Sequence, residues 1–229
     1  ETDDFDTSLP FTEDFENSLA SFTAFDVAGP DDAWAQGTES GNGFAGINGF
    51  GEGADEDWLI SPAFDLTGTT SEELSVDTQE RFGGPDLQLL FSTDYDGQSD
   101  PTLSSFTWNA VGSSATPFPE DETNGDFDFT DFATTTFDLS DSAFQAGTVY
   151  FAFVYTADGS SGGSQEWRVD NVTLTGSVPA PNAWVNEFSY DNDGADDDEL
   201  IEVIVEAGAD ITGLEVVLYN GNGGDPYDT

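Results

Sequence analysis

Oxygen-bearing side chains are the chemistry this sequence has in quantity. It carries 48 Asp and Glu against 2 basic residues, Arg81 and Arg168, and has no Lys, His, Cys or Met. Such a donor set suits a hard cation. Calcium takes about six to eight oxygens from carboxylates, amides and carbonyls, and needs neither imidazole nor thiolate. Three places have suitable spacing. Glu16 and Asn17 stand at the end of the first expected strand and Asp170 on the last, and terminal strands of a sandwich commonly lie side by side; Asp31 and Asp32, after Pro30, add two more carboxylates. Asp94, Asp96 and Asp100 hold relative positions 1, 3 and 7 around Gly97, a spacing that can wrap a cation or make Asx turns in a hairpin loop. Asp191, Asp193, Asp196 and Glu199 belong to a run of six acids within nine residues. That run is not an EF-hand: aligned on Gly194, the template wants Asp and Glu where Ser189 and Leu200 stand. For each cluster the plain alternative is a solvated surface acid.

Other chemistry is closed off by composition. Without His or Cys there is no Ser-His-Asp triad, no Cys nucleophile and no ordinary zinc site. Without Lys there is no Schiff-base or P-loop lysine. Paired carboxylates serve glycosidases, but acids this abundant carry no signal, so the chain reads as non-catalytic. Its net charge of −46 repels DNA and anionic membrane surfaces. No apolar run approaches the roughly 20 residues of a membrane span. Trp34 and Trp108 can stack on a sugar or sit in a core. Asn171-Val-Thr173 fits a glycosylation sequon, but inside an expected strand. A charge this large calls for screening by concentrated salt or by bound cations, the expectation for a halophilic or calcium-loaded protein. Glu1 reads as a processed mature end.

The elements that must position these groups are strands. With 20 Phe, 6 Tyr and 5 Trp the chain can bury a core. Short aromatic or β-branched runs alternate with Gly, Asp, Ser, Asn and Pro, which predicts strands over 11–16, 43–48, 57–61, 73–79, 86–92, 105–110, 132–138, 148–156 and 166–175. Segment 148–156 is apolar on both faces, as a central strand would be. In 166–175, alternation puts Trp167, Val169 and Asn171 on one face and Arg168, Asp170 and Val172 on the other. No helical period is sustained. The fold class is therefore all-β: a jelly-roll β-sandwich over 1–176, a linker over 177–182 with two prolines, and a partial Ig-like β-sandwich module over 183–229. That last module has expected strands at 183–189, 199–206 and 214–219, too few to close a sandwich alone, so it is expected to be truncated or completed by another chain.

Four phrases occur in order: Glu13-Asp-Phe-Glu-Asn17, Asp57-Trp-Leu-Ile-Ser-Pro-Ala-Phe-Asp-Leu66, Phe91-Ser-Thr-Asp-Tyr-Asp-Gly97 and Trp167-Arg-Val-Asp-Asn-Val172. Together they resemble the cleaved-adhesin, or choice-of-anchor J, family over roughly residues 8–176. That resemblance implies a MAM-like jelly roll of secreted and surface proteins, often with structural calcium near the first cluster. The segment Trp184–Gly224 is similar to the start of a lamin-tail-type Ig-like domain, common beside extracellular nucleases and proteases. The resulting expectation is a calcium-stabilised, salt-adapted adhesion or assembly module at a cell surface or outside the cell. Its expected partners are other protein subunits or cell-surface glycans, with homo-oligomers formed by strand addition. The alternative is the N-terminal accessory region of a larger secreted hydrolase.

Overall fold

The computed structural model describes residues 7–29, 33–51, 53–112, 117–119, 128–145, 147–160, 163–178, 183–189, 200–207, 211–212 and 214–217. In chain order the strands are β1 (Phe11–Glu13), β2 (Thr23–Ala28), β3 (Ala35–Glu39), β4 (Asn42–Asn48), β5 (Asp55–Ile60), β6 (Phe64–Asp65), β7 (Thr70–Arg81), β8 (Gln88–Ser92), β9 (Asn109–Ala110), β10 (Ala133–Asp138), β11 (Thr148–Ala157), β12 (Glu166–Ser177), β13 (Ala183–Ser189) and β14 (Leu200–Val205). A single 3₁₀ turn, Ser142–Gln145, is the nearest thing to a helix among the described residues. The chain divides into two compact units, Glu1–Val178 and Pro179–Thr229.

The first unit is a sandwich of two antiparallel sheets. One runs β10-β7-β12-β4-β3, with β1 added on β12; the other runs β2-β5-β11-β8-β9, with β6 added on β11. Period-two alternation drives the burial. Along β7, Leu74, Val76 and Thr78 point inward while Ser75, Asp77 and Gln79 lie on the half-buried outer face. Trp167, Val169, Val172 and Leu174 of β12 meet Leu59, Leu89, Phe151 and Phe153 from the second sheet in one continuous core.

β11 is central, between β5 and β8, and is apolar on both faces for a visible reason. Val149, Phe151, Phe153 and Tyr155 enter the core. On the other face, Ala152 and Val154 lie under a second aromatic cluster with Trp58 and Tyr95, against which Phe106, Trp108 and Tyr150 pack. The 93–108 loop supplies three of those rings and roofs the sheet. The first and last strands pair side by side, Phe11 opposite Leu174 and Glu13 opposite Val172.

Several local expectations are corrected. β2 and β3 were legible neither in hydrophobicity nor in alternation, because both are edge strands with half-exposed or exposed residues. The first strand stops at Glu13, because Phe15 turns to φ 48° to bury its ring. Only Asn109–Ala110 of the 105–110 segment is strand; 103–106 is a turn carrying the loop roof, closed by Phe106 N–H donating to Leu103 O at 3.0 Å. Ser177, assigned to the linker, ends β12 opposite Thr70. In the second unit β13 pairs with β14, while 214–217 is not strand but follows a turn in which Leu214 N–H donates to Ile211 O at 3.0 Å. Residues 218 and 219 lie outside the described residues.

Alternation along β12 also breaks. Asn171 sits at φ 48°, and the pairing with β7 slips from Asp170↔Asp77 to Thr173↔Ser75. Three steps on β12 match two on β7, a β-bulge. Val172 therefore takes the core-facing place expected for Asn171, which is exposed.

Candidate functional site

The outer face of the β10-β7-β12-β4-β3 sheet collects both of the chain's arginines. Arg168 on β12 lies beside Gln79 on β7 and Gly46 on β4; Arg81 on β7 lies beside Glu166 on β12. The Arg168 guanidinium is 4.2 Å from the Phe44 ring centre and 3.4 Å from that of Phe129. Phe129 in turn lies 4.3 Å from the Arg81 guanidinium, which is also 5.0 Å from the Phe82 ring. Ring, cation, ring, cation, ring: Phe82, Arg81, Phe129, Arg168 and Phe44 form a ladder in which each arginine plane is held by cation–π attraction.

The ladder depends on small residues beneath it. Phe44 lies flat over β3 and β4, and a Cβ on Gly37 would stand 2.5 Å from its ring, one on Gly46 3.2 Å. Phe129 is fixed by its neighbour Thr130, whose N–H donates to Glu80 O at 3.0 Å and whose carbonyl accepts from Gln79 Nε2 at 2.6 Å. Each arginine also has a carboxylate: Arg168 Nη1 is 2.5 Å from Glu39 and Arg81 Nη2 is 2.5 Å from Glu166. The Arg168 bond, then its charge, holds the Glu39 carboxyl below the usual carboxylate range.

Arg168 helps to line a pocket of about 290 Å³ together with Phe44, Phe132, Asp77, Gln79, Asp170, Asn171, Glu39, Ser40 and Asn42. Its acids are tied to amides. Asp170 accepts from Asn42 Nδ2 at 2.8 Å and from Asn171 N–H at 2.7 Å; Asp77 accepts from Asn171 Nδ2 at 3.0 Å and from Thr134 Oγ1 at 2.5 Å. Burial pushes the Asp170 carboxyl up, and the charges of Asp77 and Glu16 push the same way against the two amide bonds. Two phenylalanines with convergent amides, carboxylates and one arginine can give a polar small molecule both hydrogen bonds and an apolar wall.

This pocket was half legible. Alternation placed Arg168 and Asp170 on one face, and they do share it. Asp77 and Gln79 were readable as the outer positions of 73–79, whereas Phe44, Phe129 and Phe132 carried no signal separating them from core phenylalanines.

Of the first proposed cation cluster, Glu16 and Asp170 are brought within electrostatic reach, on consecutive residues: Asn42 binds Asp170, and Gly43 N–H donates to Glu16 Oε1 at 3.1 Å. Asn17 is exposed, and Asp31 and Asp32 lie outside the described residues. The second cluster is built into its own loop. Asp94 accepts from Thr107 N–H at 2.7 Å and Ser92 Oγ at 2.8 Å, Asp96 from Ser99 Oγ at 2.5 Å, Ser99 N–H at 2.8 Å and Gln98 N–H at 2.9 Å, and Asp100 from Thr102 Oγ1 at 2.7 Å and Thr102 N–H at 2.9 Å. These bonds lower all three carboxyl pKa values. Asp191, Asp193, Asp196 and Glu199 lie outside the described residues. Among the described residues no group of three or more acidic side chains is placed to hold a metal ion.

The two tryptophans part company with a sugar platform. Trp34 is core, with its Nε1–H donating to Asp57 O at 3.4 Å. Trp108 packs edge-on against Trp58 at 5.1 Å and donates to Pro101 O at 3.0 Å. Sequence reading also passed over Asp55 and Asp57, which face the interior of β5 beside Tyr155. Burial, reinforced by those two charges and by Glu166, pushes the Tyr155 hydroxyl to about 12.

Solved structures similar to this chain are β-sandwiches. The K3 cleaved adhesin domain of Lys-gingipain from Porphyromonas gingivalis W83 is 19% identical with a TM-score of 0.50, covering 72% of this chain and 98% of that one. The K1 domain of the same protein is 17% identical with a TM-score of 0.47, covering 74% and 99%. The CBM22-1–GH10 modules of endo-1,4-β-D-xylanase 10B from Clostridium thermocellum, complexed with xylohexaose, are 11% identical with a TM-score of 0.40, covering 72% and 28%. At such identities the likeness speaks to fold alone, a β-sandwich. No curated protein matches the sequence. The family model described as "Domain of unknown function (DUF5017)" matches residues 65–188, more than half of the 229, and the chain belongs to that family.

Proposed function

We propose that this chain is a non-catalytic extracellular binding module that attaches to glycans of a cell surface or polymer through the outer face of its first sheet. The pocket beside Arg168 carries this reading, because it is the place where aromatic rings, amides, carboxylates and a fixed guanidinium converge. A general acid and a nucleophile set apart by environment, as glycosidase chemistry needs, do not define this pocket: its buried acid, Asp170, is occupied by Asn42 and Asn171. The test is a glycan array probed with the chain in 3 M NaCl and calcium. The expected result is saturable binding that competes with free glycan; a panel without a hit retires the reading.

Calcium at Glu16 and Asp170 belongs to the same proposal. Both offer only oxygen, and the charge on Asp170 is disfavoured by burial and by its acidic neighbours, so a cation there would relieve it. Backbone carbonyls and waters would complete the roughly six to eight oxygens calcium takes. Binding confined to the folded state adds about 2.7 kcal/mol at a hundredfold excess over Kd. Addition of EGTA in 3 M NaCl is therefore expected to lower the melting temperature by several degrees in the native chain and by none in Asp170→Asn. A melting curve indifferent to chelator removes calcium from the account.

A further inference from the structure

Inside the pocket, most hydrogen-bonding side chains already serve acceptors of the protein itself. Asn42 Nδ2 serves Asp170 and Gly43 O, Asn171 Nδ2 serves Asp77, and Gln79 Nε2 serves Thr130 O. Arg168 Nη1 serves Glu39 and the Gln79 side-chain oxygen at 3.2 Å. Arg168 Nε has no hydrogen-bond partner among the described residues, although the side chain is only 9% exposed. A buried N–H without an acceptor is a standing cost to the fold. Acceptors are in surplus instead: Asp77, Asp170 and Glu39 offer six carboxylate oxygens, each with capacity beyond the bonds it takes.

We propose that this pocket selects an uncharged sugar ring bearing adjacent hydroxyls, with Asp77 and Asp170 accepting from the hydroxyls and Arg168 donating to one of their oxygens. A ligand here must donate to carboxylates and accept from a guanidinium within one small space, and a hydroxyl does both. A uronate, sialate or sulfated sugar presents charged acceptors to a wall that already holds three acids. It would add a negative charge beside Glu39, Asp77 and Asp170, which have a single guanidinium among them. An amino sugar donates to the acids, but its ammonium sets a positive charge beside Arg168 and, having no lone pair, cannot accept from the guanidinium as the hydroxyl it replaces would. Phe132, half-buried on the wall, can cover the apolar face of the ring.

The π–cation ladder has a specific part in this selection. Held between Phe129 and Phe44, the guanidinium keeps one plane and one edge toward its neighbours. An ammonium in its place has neither plane nor fork, so Arg168→Lys preserves charge but not the donor geometry.

This inference rests on the glycan reading above, and its test separates the two. Immobilised neutral oligosaccharides (xylan-, glucan-, mannan- and galactan-derived) are compared with polyuronate, sialylated, sulfated and free-amine glycans, using the whole chain in 3 M NaCl. Binding confined to neutral glycans is expected, weakened at least tenfold by Asp77→Asn and by Arg168→Lys at temperatures well below each variant's melting point. Phe132→Ala, on the pocket wall, supplies a third variant if either of those fails to fold. Preference for a charged class overturns the selection argument while leaving glycan binding in place, as does neutral binding that no pocket variant weakens. An absence of binding to every class overturns both.

Discussion

Asp94 shows how the same residue type serves structure where cation chemistry was expected. Its carboxylate takes the Thr107 N–H and the Ser92 hydroxyl, so it ties the two ends of the 93–108 loop together over the second sheet. Those bonds favour the charged form and depress its pKa, the Thr107 bond most. A depressed carboxyl contributes stability above its ordinary value of about 3.9 and loses it as pH falls through the folded value. Asp94→Asn is accordingly expected to melt below the native chain at pH 7, with the gap closing below about pH 4. An equal gap at pH 3 and pH 7 would assign the effect to packing. What was legible at this scale was the Asp-x-Asp-Gly turn chemistry. Whether the turn's oxygens faced a metal or their own backbone depended on where Thr107 arrives, thirteen residues on.

On the scale of elements, the bulge in β12 decides which side chains reach the pocket. Asn171 at φ 48° inserts one extra residue, keeps Val172 and Leu174 in the core, and leaves Asn171 free to hold Asp77 and Asp170 by its amide and its backbone N–H. Asn and Gly tolerate this left-handed conformation, whereas a β-branched residue does not. Asn171→Val is expected to cost about 1–3 kcal/mol in chemical denaturation. Asn171→Gly should cost less than half as much while loosening the pocket acids. Equal stability of the two variants would show that the bulge does not depend on this residue's backbone. The bulge also explains the exposed sequon: the strand pattern hid the Asn, and the inserted residue turned it outward. Strict alternation carried the reading correctly to Asp170 and failed one residue later, since a local insertion shifts every subsequent side chain to the other face.

For the whole molecule, net charge and the boundary between units set the expectations. The −46 charge repels itself over a Debye length of roughly 8 Å at physiological salt and roughly 3 Å at 1 M. The melting temperature is expected to climb steadily between 0.1 and 3 M NaCl, and a flat profile would deny salt any part in holding the fold. Glu1–Val178 has its own two-sheet core. A fragment ending at Val178 is therefore expected to fold alone and melt within a few degrees of the full chain. A molten fragment, with far-UV signal but no near-UV signal, would show that the second unit is required.

Composition and local pattern determined a good deal without coordinates. They excluded triad, zinc and lysine chemistry, and they marked an all-β chain with a central strand apolar on both faces. These conclusions follow from which residue types exist and from a period of two along the backbone, both properties of the chain alone. Tertiary structure decided what depends on distant segments meeting. It placed Arg81 and Arg168 on either side of Phe129, brought Phe44 against Arg168, and set Asp170 opposite Asp77, residues separated by tens of positions in sequence. A phenylalanine reads the same in a core as in a ligand wall. Only the pairing of strands, and the one-residue slip at Asn171, determined which it became.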